Sequence, residues 1–365
     1  MSFSSQRLLH SANEVGGLGA VPKGQDPSWT PTVLLYQKAV DEGLRALGWK
    51  TAEPQGLYEP MDYFLGLGGK RLRPVLCLTA CGMTGNDPMQ ALPQAMAVEI
   101  FHNFTLLHDD VMDQSPLRRG QATVHERFGV DAAILSGDAL MIEAYTQLSK
   151  ARASVLPSLL DEFNRVAMQV CRGQQQDMDF QKRTQVSLEE YREMIGLKTA
   201  VLLGSSLKLG ALVGGASDGD AAGLFRVGYL VGLAFQVQDD WLDVYADPDR
   251  FGKQMAGDIK ACKHSFLRVM AEKIASPEQR EQLNLAFERI AVWGKEKVQG
   301  TQALDNEVDK VIRLYNGLGL QDLVWQYQQQ LLNEAMDLLA SLSVGSSEAA
   351  LFLRAYAQYL ANRQE

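Results

Sequence analysis

The sequence predicts an all-α protein built as one bundle of many helices, and three observations carry that prediction. Apolar residues recur at intervals of three and four, as in Leu57, Met61, Phe64 and Leu65 and again in Ile100, Phe104, Leu107 and Val111. Alternating runs of Val, Ile, Thr and Tyr, which would mark half-buried strands, are missing. Glycine, proline and small polar residues interrupt the pattern at 66–69, 82–88, 115–120, 182–187, 214–220 and 246–257, leaving segments of helix length between them.

Taken in order, residues 1–32 hold Gly16, Gly17, Gly19, Pro22, Gly24, Pro27 and Pro31 with little apolar periodicity, and read as a flexible leader. From Val33 onward the helical pattern begins, so a single all-α domain is expected over 33–365. No solenoid-length repeat interrupts it, and Gln174 to Gln176 form a short low-complexity tract. The longest apolar stretch, Ala200 to Gly215, contains Ser205, Ser206 and Lys208 and is shorter than the ~20 residues of a membrane span, so no integral membrane segment is expected.

Composition bounds the function. The 365 residues are 46% hydrophobic and 22% charged, which excludes a mainly disordered chain. With 35 basic against 44 acidic residues, the net charge of -9 leaves no general basic surface for nucleic acid, so any anion must be caught locally. The four cysteines, Cys77, Cys81, Cys171 and Cys262, form no CxxC pair, and the N-terminus lacks a secretory signal, which together predict a cytoplasmic protein with buried thiols.

Two acidic triplets carry the chemistry. LLHDDVMD places Asp109, Asp110 and Asp113 at the end of a helical run, with Asp109 and Asp113 on one face. FQVQDDWLD repeats the pattern with Asp239, Asp240 and Asp243 after Val227, Leu230, Val231, Leu233, Ala234 and Phe235. Carboxylates crowded this way repel unless cations bind among them, and hard oxygen ligands suit Mg²⁺, which keeps waters and bridges to phosphate. One such triplet could be a solvated helix end; two, each following a strongly apolar helix, predict a metal site inside a bundle. Basic clusters with flexible glycine stand beside both: Gly68-Gly69-Lys70-Arg71-Leu72-Arg73-Pro74, Arg118-Arg119-Gly120 and Gly252-Lys253. Arginine forks and lysine ammoniums are what capture of a diphosphate requires.

With GGKRLRP, HDDVMD, PLRRG, GQQQDMD, KTA, QVQDDWLD, FGK and GDIKACKHS in order, the chain from about Leu34 onward resembles the trans-isoprenyl diphosphate synthases, or polyprenyl synthetases. The resemblance implies an isoprenoid-synthase-type helical bundle around a central active-site cavity. It implies condensation of isopentenyl diphosphate with an allylic diphosphate (dimethylallyl, geranyl or farnesyl), with release of pyrophosphate. By the same resemblance Asp109, Asp113 and Asp239 hold about three Mg²⁺ ions, and Asp110, Asp240 and Asp243 support that cluster from its edge. Arg118, Lys198 and Lys253 match the cations on the allylic leaving group. Lys70, Arg73, His102 and Arg119 match the metal-free isopentenyl diphosphate site, and Thr199, Gln236 and Lys263 match positions around the allylic pocket. Gln174 joins Thr199 and Gln236 as a weak dipole beside the carbocation. Family members are usually homodimers.

Product length in such enzymes is limited by large residues four and five before the first aspartate, here Thr105 and Phe104. One aromatic there suits a C20 product, geranylgeranyl diphosphate, with C15 farnesyl diphosphate the alternative; helical geometry also brings Phe101 near the aspartate face. His108 and His125 are read as structural, as are the buried thiols Cys77 and Cys81. The departures from the family pattern are Cys262, where glycine is usual, and Ser265, where threonine is common. Terpene cyclases and head-to-head synthases lack the second triplet together with GGKRxRP, and a carboxylate-bridged metalloprotein needs a second Glu-x-x-His. The remaining alternative is a non-catalytic partner subunit that modulates an active synthase.

Overall fold

The computed structural model describes residues 30–246, 256–295 and 302–362. They form sixteen α-helices and one two-stranded hairpin, so the all-α expectation holds. In chain order these are α1 (Thr30–Arg45), α2 (Gln55–Gly66), α3 (Leu72–Met83), α4 (Leu92–Met112), α5 (Val124–Phe128), α6 (Val130–Leu148), α7 (Leu156–Phe180) and α8 (Leu188–Ile195). There follow α9 (Val201–Val213), α10 (Asp218–Tyr245), α11 (Gly257–Lys260), α12 (Phe266–Ile274), α13 (Pro277–Lys295), α14 (Gln302–Gly317), α15 (Leu320–Ser341) and α16 (Glu348–Asn362). Of the expected leader, residues 1–29 lie outside the described residues. Helix α1 starts at Thr30 with Pro31 in its first turn, where a missing N–H costs nothing.

The described residues group into two compact units. The first comprises residues 30–163, 205–225 and 336–358. Its centre is α4, which packs against α3 and α6. Helices apolar on all sides must be enclosed on all sides, and α3 accordingly buries Val75, Leu76, Cys77, Leu78, Ala80 and Cys81. Close approach is built in at Gly210 of α9, where a Cβ would lie 1.9 Å from the Cys77 carbonyl oxygen, so that any larger residue would force α9 off α3. The Cys77 and Cys81 thiols are buried, and burial pushes the Cys81 thiol up to about 11, which keeps it protonated and inert.

The second unit comprises residues 164–204, 226–246, 256–295, 302–335 and 359–362. Tyr191, Leu230, Leu233, Val237, Phe266, Ile290, Val311 and Tyr315 fill its core. Helix α8 starts with a capping box, the Ser187 hydroxyl accepting from the Glu190 N–H while the Glu190 carboxylate accepts from the Ser187 N–H. Between α8 and α9 the chain makes one π-helical turn, Gly196–Ala200. Glycines crowd that turn: a Cβ at Gly173 would lie 2.3 Å from the Lys198 nitrogen, one at Gly196 2.3 Å from the Tyr229 hydroxyl, and one at Gly232 2.7 Å from the Ala200 Cα.

Among the described residues one helical stretch, Leu188–Val213, is long and apolar enough to cross a membrane; 72% of its most apolar window is buried inside the fold, as in a core helix.

Candidate active site

In the first unit the chain brings the GGKRLRP segment, α4 and the 117–122 hairpin together around one group of cations. The hairpin pairs Leu117 with Ala122 and Arg118 with Gln121. Its two linking residues, Arg119 and Gly120, have φ of 52° and 75°, the positive pair of a type I′ turn. Tyr63 anchors it by donating its hydroxyl to the Ala122 carbonyl at 2.7 Å, and Thr123 donates to the Ser115 carbonyl at 2.8 Å. The turn carries the Arg119 guanidinium onto the backbone of Gly69, where a Cβ would meet both terminal nitrogens at 2.9 Å. Gly69 is therefore a contact surface for Arg119 and not only a flexible joint.

Electrostatics mark this group as an anion site. His102 is held well below its ordinary imidazole value, first by burial and then by Arg73, Arg119, Arg118 and Arg71, so it is a neutral donor at pH 7. Arg73 is pushed down to about 10 by burial; Glu99 opposes that shift and Arg119 adds to it. Burial also lowers Arg119, with Glu99 opposing and Arg71 and Arg118 adding. The Arg73 Nε is buried without a hydrogen-bond partner. Cations packed until they depress one another store repulsion that a polyanion relieves. Lys70 is exposed beside them, its carbonyl accepting from Gln37 Nε2 at 2.8 Å.

The first acidic triplet closes the same unit. Asp109 and Asp113 are half-buried at the end of α4, with the Asp113 N–H donating to the Asp109 carbonyl at 2.8 Å. Asp110 is buried, and its two oxygens accept from Arg118 Nε at 2.7 Å and Nη2 at 2.6 Å. Arg118, expected on the leaving group, thus spends part of its fork on Asp110. Burial works against the Arg118 charge, and Asp110 followed by Asp109 and Asp113 together more than offset it. Thr105 donates to the His102 carbonyl at 2.8 Å. Phe104 packs on His108 with centroids 4.8 Å apart, whereas Phe101 is buried against Phe163 at 5.1 Å. His108 fills the space over Gly137 and His125 is buried, in line with structural roles.

In the second unit the π turn presents Lys198 and Thr199. Lys198 pairs with Asp177 of GQQQDMD at 2.6 Å, and Thr199 donates to Gln236 Oε1 at 3.0 Å. Gln236 passes the chain on, donating Nε2 to Asp240 Oδ1 at 3.0 Å. Asp240 also accepts from the Tyr191 hydroxyl at 2.6 Å and the Phe266 N–H at 2.7 Å. Burial pushes its carboxyl up to about 7, with Asp258 adding to the shift and these donors opposing it. Asp243 accepts the Asp258 N–H at 2.9 Å and so fixes the start of GDIK. Lys263 donates its N–H to the Asp258 carbonyl at 2.9 Å. Asp239 is half-buried on α10. The Gln174 amide nitrogen is buried without a partner. Lys253, the remaining expected cation, lies outside the described residues.

Among the described residues no three His, Cys, Asp or Glu side chains gather closely enough to enclose a metal by themselves. Asp109 and Asp113, half-buried one turn apart at the end of α4, are hard oxygen donors of the kind that suits Mg²⁺, which takes one or two protein oxygens and completes its coordination with water and phosphate.

Three residues of the arrangement do not stand out in the sequence. Glu99, Asp177 and Tyr191 pair with Arg71, Lys198 and Asp240. The signal that was available is positional: Glu99 lies one turn before His102, and Asp177 one turn after Gly173.

Known proteins resemble this chain along most of its length. Residues 54–300 match the model of the polyprenyl synthetase family. The geranylgeranyl diphosphate synthase of Methanosarcina mazei is 40% identical over 235 residues, covering 64% of this chain and 71% of its own. The heterodimeric geranylgeranyl pyrophosphate synthase large subunit 1 of Arabidopsis thaliana is 38% identical over 334 residues, 84% of this chain and 88% of its own. Among solved structures, geranylgeranyl pyrophosphate synthetase from Pyrococcus horikoshii superposes with a TM-score of 0.82 at 30% identity, covering 92% of this chain and 98% of that one.

Proposed function

The chain belongs to the polyprenyl synthetase family, and from that premise we propose that it is a short-chain trans-prenyltransferase whose product is geranylgeranyl diphosphate. It condenses isopentenyl diphosphate with an allylic diphosphate and releases pyrophosphate, with residues 33–365 acting as one domain. The observation that carries this reading is the pair of guanidiniums of Arg73 and Arg119 beside a neutral His102, with the Arg73 Nε buried and unpaired. A site charged this heavily, in a chain of net charge -9, is made for a small polyanion.

Lys70, Arg73, His102 and Arg119 bind the isopentenyl diphosphate, and His102 contributes a neutral N–H. Asp109, Asp113 and Asp239 would hold Mg²⁺, about three ions being expected, and the bound metal would supply charge stabilisation for the departing diphosphate. Lys198 and Arg118 add to that stabilisation with pre-organised positive charge, and Lys253 is the third cation expected on the same leaving group. Asp177 and Asp110 hold Lys198 and Arg118 in place. Once the allylic C–O bond breaks, the cation needs surroundings that neither attack nor hydrate it. Thr199, Gln236 and the Gln174 amide offer weak dipoles of that kind. The alkene of isopentenyl diphosphate attacks, and the proton then lost passes to the released pyrophosphate, so no side chain needs a tuned pKa.

The protein is a cytoplasmic homodimer in this reading. The four unpaired thiols support a reducing compartment. Helix α6 exposes Ile134, Leu135 and Ile142, apolar surface suited to a second copy, and the mass in solution by light scattering tests it.

Incubation with Mg²⁺, isopentenyl diphosphate and each of dimethylallyl, geranyl and farnesyl diphosphate, followed by mass spectrometry, tests the activity. A C20 product is expected. A C15 product would keep the reaction and change the chain length. No elongation by folded protein from any primer would favour the non-catalytic partner subunit, a reading disfavoured by retention of all six aspartates and the basic motifs.

A further inference from the structure

Glu99 is 2% exposed and sits on α4 among Val98, Ile100 and Phe101, all at 1% or less. A carboxylate on so apolar a helix costs several kcal/mol unless it is paired. Its partner is Arg71 Nη1 at 2.7 Å, and Asn103 Nδ2 donates to the same Oε1 at 3.2 Å. Arg71 has further ties: Nε donates to Asp41 of α1 at 2.9 Å and Nη2 to the Leu65 carbonyl near the end of α2 at 3.1 Å. Burial works against the Arg71 charge, yet Glu99 and Asp41 hold it above its ordinary value. Of the three cations in GGKRLRP, Arg71 is therefore committed to the fold.

That commitment has a backbone consequence. Arg71 has φ 47° and ψ 35°, left-handed for a residue with a side chain, and it stands immediately before α3. Such a conformation persists only where surrounding contacts over-determine it. The contacts here are those of the Arg71 side chain, and the turn they hold directs the chain into α3, which carries Arg73 two residues later. Glu99 itself lies one turn before His102 on α4. The same carboxylate also opposes the loss of charge at Arg73 and Arg119.

We propose that Glu99, acting through Arg71, is the positioning residue of the isopentenyl diphosphate site, setting the geometry of Arg73 and His102 without touching substrate. This rests on the assignment of that site above. The rival description is a core ion pair that only stabilises the fold.

The test measures KM for isopentenyl diphosphate and for the allylic substrate separately, with melting temperatures, in Glu99→Gln, Glu99→Asp, the apolar pair Arg71→Met/Glu99→Met, and Arg73→Met. Glu99→Gln should raise KM for isopentenyl diphosphate about tenfold while the allylic KM stays within about twofold. Glu99→Asp should recover part of the loss. An apolar pair of similar volume restores stability when a buried ion pair is removed whole, so the double variant should melt near wild type and still show the raised KM. A folded double variant with wild-type KM values, or one in which both KM values rise together, would overturn the proposal. Should Glu99→Gln fail to fold, the double variant decides alone. Arg73→Met with an unchanged isopentenyl diphosphate KM would instead overturn the site assignment, and this inference with it.

Discussion

Asp110 gives both carboxylate oxygens to one guanidinium, that of Arg118, at 2.7 and 2.6 Å, while Asp109 beside it is half-buried with Asp113 at the end of α4. Adjacent aspartates of one motif therefore do different work. Removing one member of a buried pair costs about 3–5 kcal/mol, because the other is left uncompensated. Arg118 retains some solvent contact, so Asp110→Asn is expected to cost about 2–3 kcal/mol. Asp109→Ala is expected to change stability by less than about 1 kcal/mol and to abolish turnover at saturating Mg²⁺. Thermal melts paired with initial rates check both; near-wild-type activity of Asp109→Ala would remove it from the metal site.

The π turn is held by backbone proximity, since a Cβ at Gly173 would stand 2.3 Å from the Lys198 nitrogen. Backbone cannot rotate out of the way, so Gly173→Ala is expected to cost about 1–3 kcal/mol by pushing the turn away from α7. Because Lys198 rides on that turn, the allylic KM should rise more than that for isopentenyl diphosphate. Steady-state kinetics and melts on the variant measure both effects, and wild-type values of both would mean that the turn yields freely.

His264 predicts an acid limit. Its Nε2 lies 3.0 Å from the Arg183 carbonyl oxygen, and its Nδ1 is buried without a partner. Burial, followed by Arg268, pushes the imidazole down to about 4. The unfolded chain takes up that proton near pH 6.5 and the folded one does not. Stability from this group is thus fully present above about pH 6.5 and is lost as pH falls toward 4, by up to about 3 kcal/mol. His264→Gln should flatten that part of the profile. Parallel stability curves for the two proteins between pH 7.5 and 4 would show that another group sets the limit.

Helix content and the places where helices stop were legible in the sequence because both depend on local residues: apolar periodicity enclosed by Gly66 to Gly69 or Gly82 to Pro88. The acidic and basic motifs were legible for the same reason. The 117–122 hairpin was not, because strands of two residues carry no alternation, and its I′ turn uses Arg119 where asparagine is the common signal. Neither was the π turn at Gly196–Ala200, which exists through glycine contacts from α7 and α10, distant in sequence. Glu99 and Asp177 were invisible as site residues since a lone acid on a helix acquires meaning only from the arginine or lysine that the fold places beside it.

Cys262 illustrates a departure that was legible and that the structure explains. It has φ 53°, the backbone region that favours glycine, the residue expected at this position. Its sulfur lies 3.7 Å from the Phe287 carbonyl, with Sγ–H donating. Comparing Cys262→Gly with Cys262→Ala isolates the backbone contribution, since both lose the thiol and only alanine keeps a Cβ. The glycine variant should be the more stable by about 1 kcal/mol in chemical denaturation. Alanine matching or exceeding glycine would mean that the turn relaxes out of the left-handed region.

Product length turns on which aromatic of α4 meets the growing chain. At about 100° per residue, Thr105 and Phe101 lie nearer the Asp109 line than Phe104 does. The two phenylalanines differ in what holds them. Phe101 is 1% exposed and wedged against Phe163, whose ring meets Tyr145 at 5.1 Å, so its truncation should cost about 3–5 kcal/mol. Phe104 is half-buried between Phe101 at 5.6 Å and His108 at 4.8 Å, and can be shortened at lower cost. Phe104→Ala is therefore expected to stay folded and to extend the product beyond C20, read by mass spectrometry after incubation with farnesyl diphosphate and excess isopentenyl diphosphate. If the profile is unchanged, the limit lies with Phe101 or on another helix. Phe101→Leu, which removes ring area but retains much of the side-chain volume, then becomes the variant whose product should lengthen.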